Sequence, residues 1–176
     1  MPVFHVLKPP IKLNMDVSKH GVEVIAALPA VEFELNMLFY NAGTLCDLTR
    51  AGRALGLQQG GRAALLAAQL KLAEVKIAGV AESRLPKGIR TTADFLVYAS
   101  GPDEAGNFGC EAWLATRAPY FVKGTTAFRF TTEHVAVVES EPTLLLLAID
   151  APFLRIDVVV AHAPHSGKSK EIISGW

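Results

Sequence analysis

Cysteine is almost missing from this chain: Cys46 and Cys110 are the only two in 176 residues. That excludes a disulfide framework and points to reduced thiols inside a cell. Each cysteine by itself reads as a buried small hydrophobe. Charge is scarce as well, with Asp, Glu, Lys and Arg making up 19% of the residues against a usual share of about 25%. Seventeen basic residues offset seventeen acidic ones. This balance excludes nucleic-acid binding driven by a bulk positive field. It does not exclude a nuclease, because a metal ion supplies much of the positive charge in such a site. No basic segment followed by an apolar stretch lies between Met1 and Asp16, so no secretory signal is legible. Even the apolar run Leu144 to Ile149 is far too short to cross a bilayer. An intracellular location without a membrane partner is therefore expected, with nucleus and cytoplasm both open. A Gly-rich phosphate loop, a nucleophile elbow and a zinc-type spacing are also missing.

What the chain has in excess is apolar surface: 51% of its residues are hydrophobic and the mean hydropathy is +0.30. Its length suits one domain with a real core. Two explanations fit the composition. Either the sheets are buried on both faces, or a partner surface that should cover them is lost.

Residues 1–34 hold Pro9, Pro10 and Pro29 and only weak alternation, so they read as a leader of uncertain structure outside the main core. From Leu35 the pattern becomes regular. Leu35 to Tyr40 is expected as a strand ending in the turn-like Asn41-Ala42-Gly43. Gly61 to Glu74 is expected as a helix, with Leu65, Ala68, Gln69 and Leu72 on one face. Lys76 to Ala81 is a short apolar strand stopping at Glu82. Phe95 to Ala99 and Cys110 to Thr116 flank a loop rich in Gly, Pro, Asp and Asn, as in a long hairpin. His134 to Glu139, Thr143 to Ile149 and Leu154 to Ala161 give three more strands, and Lys168 to Trp176 begins a helix. Short connections between the late strands favour antiparallel neighbours. The expected class is α/β, a layered sandwich with a mixed sheet.

Three polar residues lie at the C-terminal ends of apolar strands: Asn41, Glu82 and His162. In layered α/β folds such ends deliver side chains to a shared ligand crevice. A carboxylate there is costly unless it is paired or binds a cation. Glu82 is thus either a metal ligand or the ion-pair partner of Arg84. Asn41 is either a polar site residue or simply good turn chemistry. His162 could donate to a phosphate or shuttle a proton. With His165 it could also form a two-histidine metal pair, although no third ligand lies at a matching spacing.

Taken in order, Leu38-Phe39-Tyr40-Asn41-Ala42-Gly43-Thr44-Leu45, Ile77-Ala78-Gly79-Val80-Ala81-Glu82-Ser83-Arg84 and Val158-Val159-Val160-Ala161-His162-Ala163-Pro164 resemble the motifs of the endonuclease/exonuclease/phosphatase superfamily, the deoxyribonuclease I-like group. Asn107-Phe108-Gly109-Cys110-Glu111-Ala112-Trp113-Leu114 is similar to a strand between them. Ala161-His162-Ala163-Pro164-His165-Ser166-Gly167 is similar to retroelement-type endonuclease domains. The resemblance spans residues 35–176. It implies a deoxyribonuclease I-like layered β-sandwich flanked by helices, of which this chain carries the N-terminal half. It further implies that Glu82 binds Mg²⁺ (or Mn²⁺) with support from Asn41, that His162 contacts the scissile phosphate, and that Arg84 contacts a nucleic-acid backbone or other phosphoester. A non-catalytic binding remnant, or a phosphatase of the same superfamily, are the alternatives.

The family's later Asp-x-Asn and Asp-His motifs have no counterpart here, since Asp150 and Asp157 precede His162. An incomplete domain is expected to leave a sheet face fed by Leu144, Leu146, Val158 and Val160 uncovered and prone to self-association. It would also lack the base that contributes on the order of 10²–10⁴ in rate. Purified 176-residue protein should accordingly show little or no hydrolysis of DNA, RNA or small phosphodiesters with Mg²⁺. Robust cleavage that depends on Mg²⁺ and disappears in Glu82→Gln would refute that expectation.

Overall fold

The computed structural model describes residues 31–33, 35–45 and 61–163. At its centre lies a five-stranded sheet in the order β2-β3-β6-β5-β4. These strands are β2 (Met37–Asn41), β3 (Ile77–Ala81), β4 (Gly88–Thr91), β5 (Phe95–Ala99) and β6 (Cys110–Ala115). Strands β2 and β3 are parallel, with Asn41 opposite Ala81, while β3, β6, β5 and β4 alternate in direction. A parallel pair needs a crossover connection, and the helix α1 (Arg62–Leu72) lies between β2 and β3 in the chain. A second sheet in the order β11-β10-β9 is an antiparallel meander of β9 (Val135–Glu141), β10 (Leu144–Ala151) and β11 (Leu154–Ala161). A third, small sheet joins β1 (Val31–Phe33), β7 (Phe121–Lys123) and β8 (Thr126–Phe128). The class is therefore mixed α/β, mostly strands with one helix among the described residues, and none of those residues forms a helix long and apolar enough to cross a membrane.

Two cores flank the central sheet. On one face, Leu66 and Leu70 of α1 cover Ala78, Val80, Phe95, Val97 and Trp113. On the other, Leu145, Leu147, Ile149, Val158 and Val160 of the meander pack against Ile77, Leu96, Tyr98, Ala112 and Leu114. Every residue of β5 and β6 is buried. A sheet covered on both faces needs strands that are apolar at every position rather than at alternate ones. That accounts for the scarcity of charge, and of the two explanations the composition allowed, burial on both faces is the one at work here.

Several expectations change. The helical face is Leu66 and Leu70 with the half-buried Ala63 and Ala67; Leu65 and Leu72 are exposed at 55% and 86%. Because this stretch is apolar on nearly every side, its periodicity did not single out the inner stripe. The meander buries Leu145 and Leu147, while Leu144 and Leu146 lie half-buried on the opposite face. A run of four leucines is apolar in both phases of the two-residue strand repeat, and only packing chooses between them. The inner face expected to stay uncovered is closed by the central sheet. Val31–Phe33, placed in the leader, pair antiparallel with β7, and the Phe33 and Phe121 rings meet at 6.2 Å. Strands β4, β7 and β8 were not anticipated. The helix expected from Lys168, the residue His165 and the thiol Cys46 lie outside the described residues.

Gly79 of β3 lies tightly between the Phe39 ring of β2 and Val160 of the meander. A side chain there would meet the Phe39 ring at 2.5 Å and Val160 Cγ2 at 3.1 Å. The register of β10 is directly testable by urea unfolding. Leu147→Ala should cost about 2–5 kcal/mol, and Leu146→Ala about 1 kcal/mol; the reverse ranking would contradict this packing.

Candidate functional site

The three polar strand ends meet. Asn41 closes β2, Glu82 follows β3, and His162 follows β11, so two neighbouring parallel strands and one strand of the facing sheet deliver the group. Glu82 Oε1 accepts a hydrogen bond from Asn41 Nδ2 at 3.0 Å and lies 2.7 Å from His162 Nε2. Asn41 Oδ1 accepts from the Gly43 backbone N–H at 2.9 Å. These two contacts settle the amide orientation, since the flipped amide would set its oxygen against a carboxylate and its NH₂ against an N–H. The turn reading and the site reading of Asn41 thus hold together: its carbonyl builds the turn and its NH₂ steers Glu82.

Backbone geometry turns Glu82 out of the sheet. Glu82 and Arg84 are left-handed, with φ of 57° and 55°, and Phe108 on the facing loop has φ of 64°. Such conformations cost non-glycine residues free energy and hold only where the surroundings fix them. Here they are fixed by Ser83 N–H donating to Gly109 O and Arg84 N–H to Phe108 O, each at 3.0 Å. Gly109 itself has φ of 94°, and a Cβ on it would lie 3.0 Å from the Arg84 nitrogen. On the other side, Ala42 N–H donates to Ala81 O and Leu45 N–H to Ser83 O. The second sheet is tied in by Gly109 N–H to Pro142 O at 2.8 Å and His162 N–H to Thr143 O at 2.9 Å. His162 is held from above by the Phe108 ring at 5.3 Å.

The electrostatics favour an ionised Glu82. The Asn41 hydrogen bond lowers its pKa most; burial works against this, and the His162 contact and the Arg84 charge lower it further. With a carboxylate as acceptor, His162 Nε2 must carry the proton. Its Nδ1 is buried and meets no protein partner. Arg84, half-buried two residues beyond Glu82, is positioned to act on the same centre through its charge. A shallow cavity of about 390 Å³ beside Asn41 and His162 is walled by Phe39, Gly79 and Val160.

Among the described residues no three His, Cys, Asp or Glu side chains gather around one point. The donor set is one carboxylate, whose Oε2 takes neither of the two hydrogen bonds on Oε1, and an amide oxygen with one lone pair left. Mg²⁺ accepts such a set, because it takes oxygen ligands and keeps several waters. Asp150 and Asp157 are remote from this centre: Asp150 pairs with Arg155 at 2.6 Å, at the far end of the β10–β11 hairpin.

Sequence reasoning overlooked a second carboxylate. Glu111 of β6 is fully buried and is held by Arg90 Nη2 at 2.6 Å and Trp113 Nε1 at 2.8 Å. A buried charge with both oxygens bonded is structural. Its position between apolar neighbours in an all-buried strand was the available signal. Cys110 is a buried free thiol, as expected, with its pKa pushed up to about 11 by burial first and the Glu111 charge second.

No protein-family model matches this chain, and no curated protein matches its sequence. The site therefore stands on its own geometry. A carboxyl whose folded pKa is depressed adds stability that is complete above its unfolded value and is lost as pH falls through the folded one. Glu82 should accordingly titrate below the ordinary 4.5, and Asn41→Ala should move its midpoint upward. Carboxyl ¹³C shifts followed against pH measure both; an unmoved midpoint in Asn41→Ala would contradict the steering role.

Proposed function

We propose that the Glu82 centre is the metal- and phosphate-holding part of a Mg²⁺-dependent phosphodiester hydrolase of the endonuclease-like, deoxyribonuclease I-like kind, with Mn²⁺ able to replace Mg²⁺. The observation that carries this reading is the meeting of Asn41 and His162 on the single carboxylate oxygen Oε1 of Glu82, across two packed sheets. The helix, five-stranded sheet and three-stranded sheet stacked in layers agree in kind with a deoxyribonuclease I-like sandwich.

In this reading Glu82 is the metal ligand. Asn41 positions it: one side of its amide is spent on the turn and the other on the carboxylate, so the carboxylate cannot swing away. A bound divalent ion would polarise a phosphate oxygen and stabilise charge on the leaving oxygen. His162 offers its Nε2–H to the incoming phosphate, exchanging one anionic acceptor for another. Phe108 and the Thr143 carbonyl hold the ring and backbone of His162 in place for that exchange. Arg84 adds a positive charge toward the phosphodiester backbone. Phe39 and Val160 line the shallow cavity beside Asn41 and His162.

Metal binding is the readout that isolates the centre. Mn²⁺ titrated into the 176-residue protein should broaden the NMR signals of Asn41, Glu82 and His162 first, and Mg²⁺ should reverse the effect. Glu82→Gln should abolish that localised broadening, and Asn41→Ala, which acts through Glu82, should weaken it by about tenfold. Broadening centred elsewhere, or unchanged in a folded Glu82→Gln variant, would remove the basis for this function.

A further inference from the structure

Where the edge strands β4 and β9 lie, the two packed sheets leave a cleft of about 250 Å³ between them. Tyr98 and Leu145, which line it, belong to the core between the sheets. Ile89 is paired directly with Tyr98, and Ser140 with Leu145. Directly paired residues share a face of their sheet. Ile89 and Tyr98 therefore enter the cleft from the central sheet, and Ser140 enters it from the meander. Part of the lining is open and apolar: Ile89 is 58% exposed and Val137 46%. The two hydroxyls that line it lack partners. Tyr98 is only 1% exposed, and its hydroxyl oxygen and Ser140 Oγ are both shut off from water. Among the described residues neither makes a hydrogen bond. Buried hydroxyls are normally paired, so two orphans on facing sheets of one cleft point to a missing third group. Burial also raises the Tyr98 pKa, which keeps that phenol neutral.

We propose that this cleft binds a neutral molecule of one ring's size, carrying a hydroxyl that pairs with those of Tyr98 and Ser140. The volume sets the size. It falls below the range of about 300–1,000 Å³ usual for larger ligands, while an apolar cavity of about 150 Å³ is enough for benzene. The polar lining sets the group. Tyr98 and Ser140 can each donate and accept, and a ligand hydroxyl can do both in return. Charge is disfavoured. Lys87 is the one charged residue in the lining, and its ammonium donates to Ser140 O at 2.8 Å. A carboxylate would leave water without a cation committed to it. Ile89 and Val137 stand on the edge strands, so a rotamer change at either opens the way to both hydroxyls. None of these residues takes part in the Glu82 centre, and the proposal is independent of it.

Phenol is the probe, toluene its counterpart without the hydroxyl, and benzoate the charged competitor. Titrated into the whole 176-residue protein, phenol should produce saturable NMR shifts at the amides of Ile89, Ala99 and Leu145. Toluene should bind there about tenfold more weakly, the worth of one well-made hydrogen bond, and benzoate should also bind more weakly than phenol. The double variant with Tyr98→Phe and Ser140→Ala should erase the preference for phenol over toluene. An absence of saturable shifts, as when an ordered water alone satisfies the two hydroxyls, overturns the proposal. So does toluene or benzoate binding at those amides as tightly as phenol. The wild-type comparison decides the matter even where the double variant does not fold.

Discussion

The constraint on which the rest depends is the closure of the central sheet on both faces. With α1 on one side and the β9–β11 meander on the other, strands β5 and β6 have no position at which a polar side chain can reach water. Polar groups are therefore driven to the strand ends, where Asn41, Glu82 and His162 lie at one rim and Lys76 at the other. Glu111 is the exception within a strand, and it is tolerated because Arg90 and Trp113 satisfy both of its oxygens. The low charged fraction and the clustering of chemistry at the rims are two consequences of one packing requirement.

The Glu82 centre depends on that packing in a second way. Asn41 and Glu82 could be neighbours in any sheet with β2 parallel to β3. His162 reaches them only because the meander lies on the face of β3 and β6, fastened by the Gly109 and Thr143 backbone bonds at the same rim. The left-handed Glu82, Arg84 and Phe108 are held by the adjoining bonds from Ser83 N–H to Gly109 O and from Arg84 N–H to Phe108 O. Local strain, sheet-to-sheet register and the position of the carboxylate are thus coupled, and loosening any one would release the others.

Much of this was legible beforehand where the residue pattern had a single physical solution. Leu154 to Ala161 and the Phe95–Ala99 with Cys110 hairpin were clear because β-rich runs are bounded by turn residues. Glu82 stood out because a carboxylate directly after five apolar residues has few reasons to be there. The pattern failed where it was apolar in every phase. The Leu144–Leu147 run and the Ala/Leu-rich helix each offer two or more faces of equal hydrophobicity, and burial went to the one that sequence reasoning did not pick. Strands β4 and β8 were missed because they are short and mostly exposed or half-buried, so they lack alternation strong enough to read. Glu111 had one local signal, its apolar neighbours in β6, but the partner that makes its burial tolerable, Arg90, comes from a strand on the far side of β5 and is not legible locally.

By itself, then, the sequence determined the α/β class, the positions of most strands and the identity of the polar residues at their ends, because these follow from local hydrophobic periodicity and turn chemistry. Only the tertiary structure decided which leucines face inward, that the central sheet is covered twice, and that Asn41 and His162 share one oxygen of Glu82. Those outcomes depend on contacts between residues as many as 80 positions apart, and no local pattern carries the information about which distant surface will arrive.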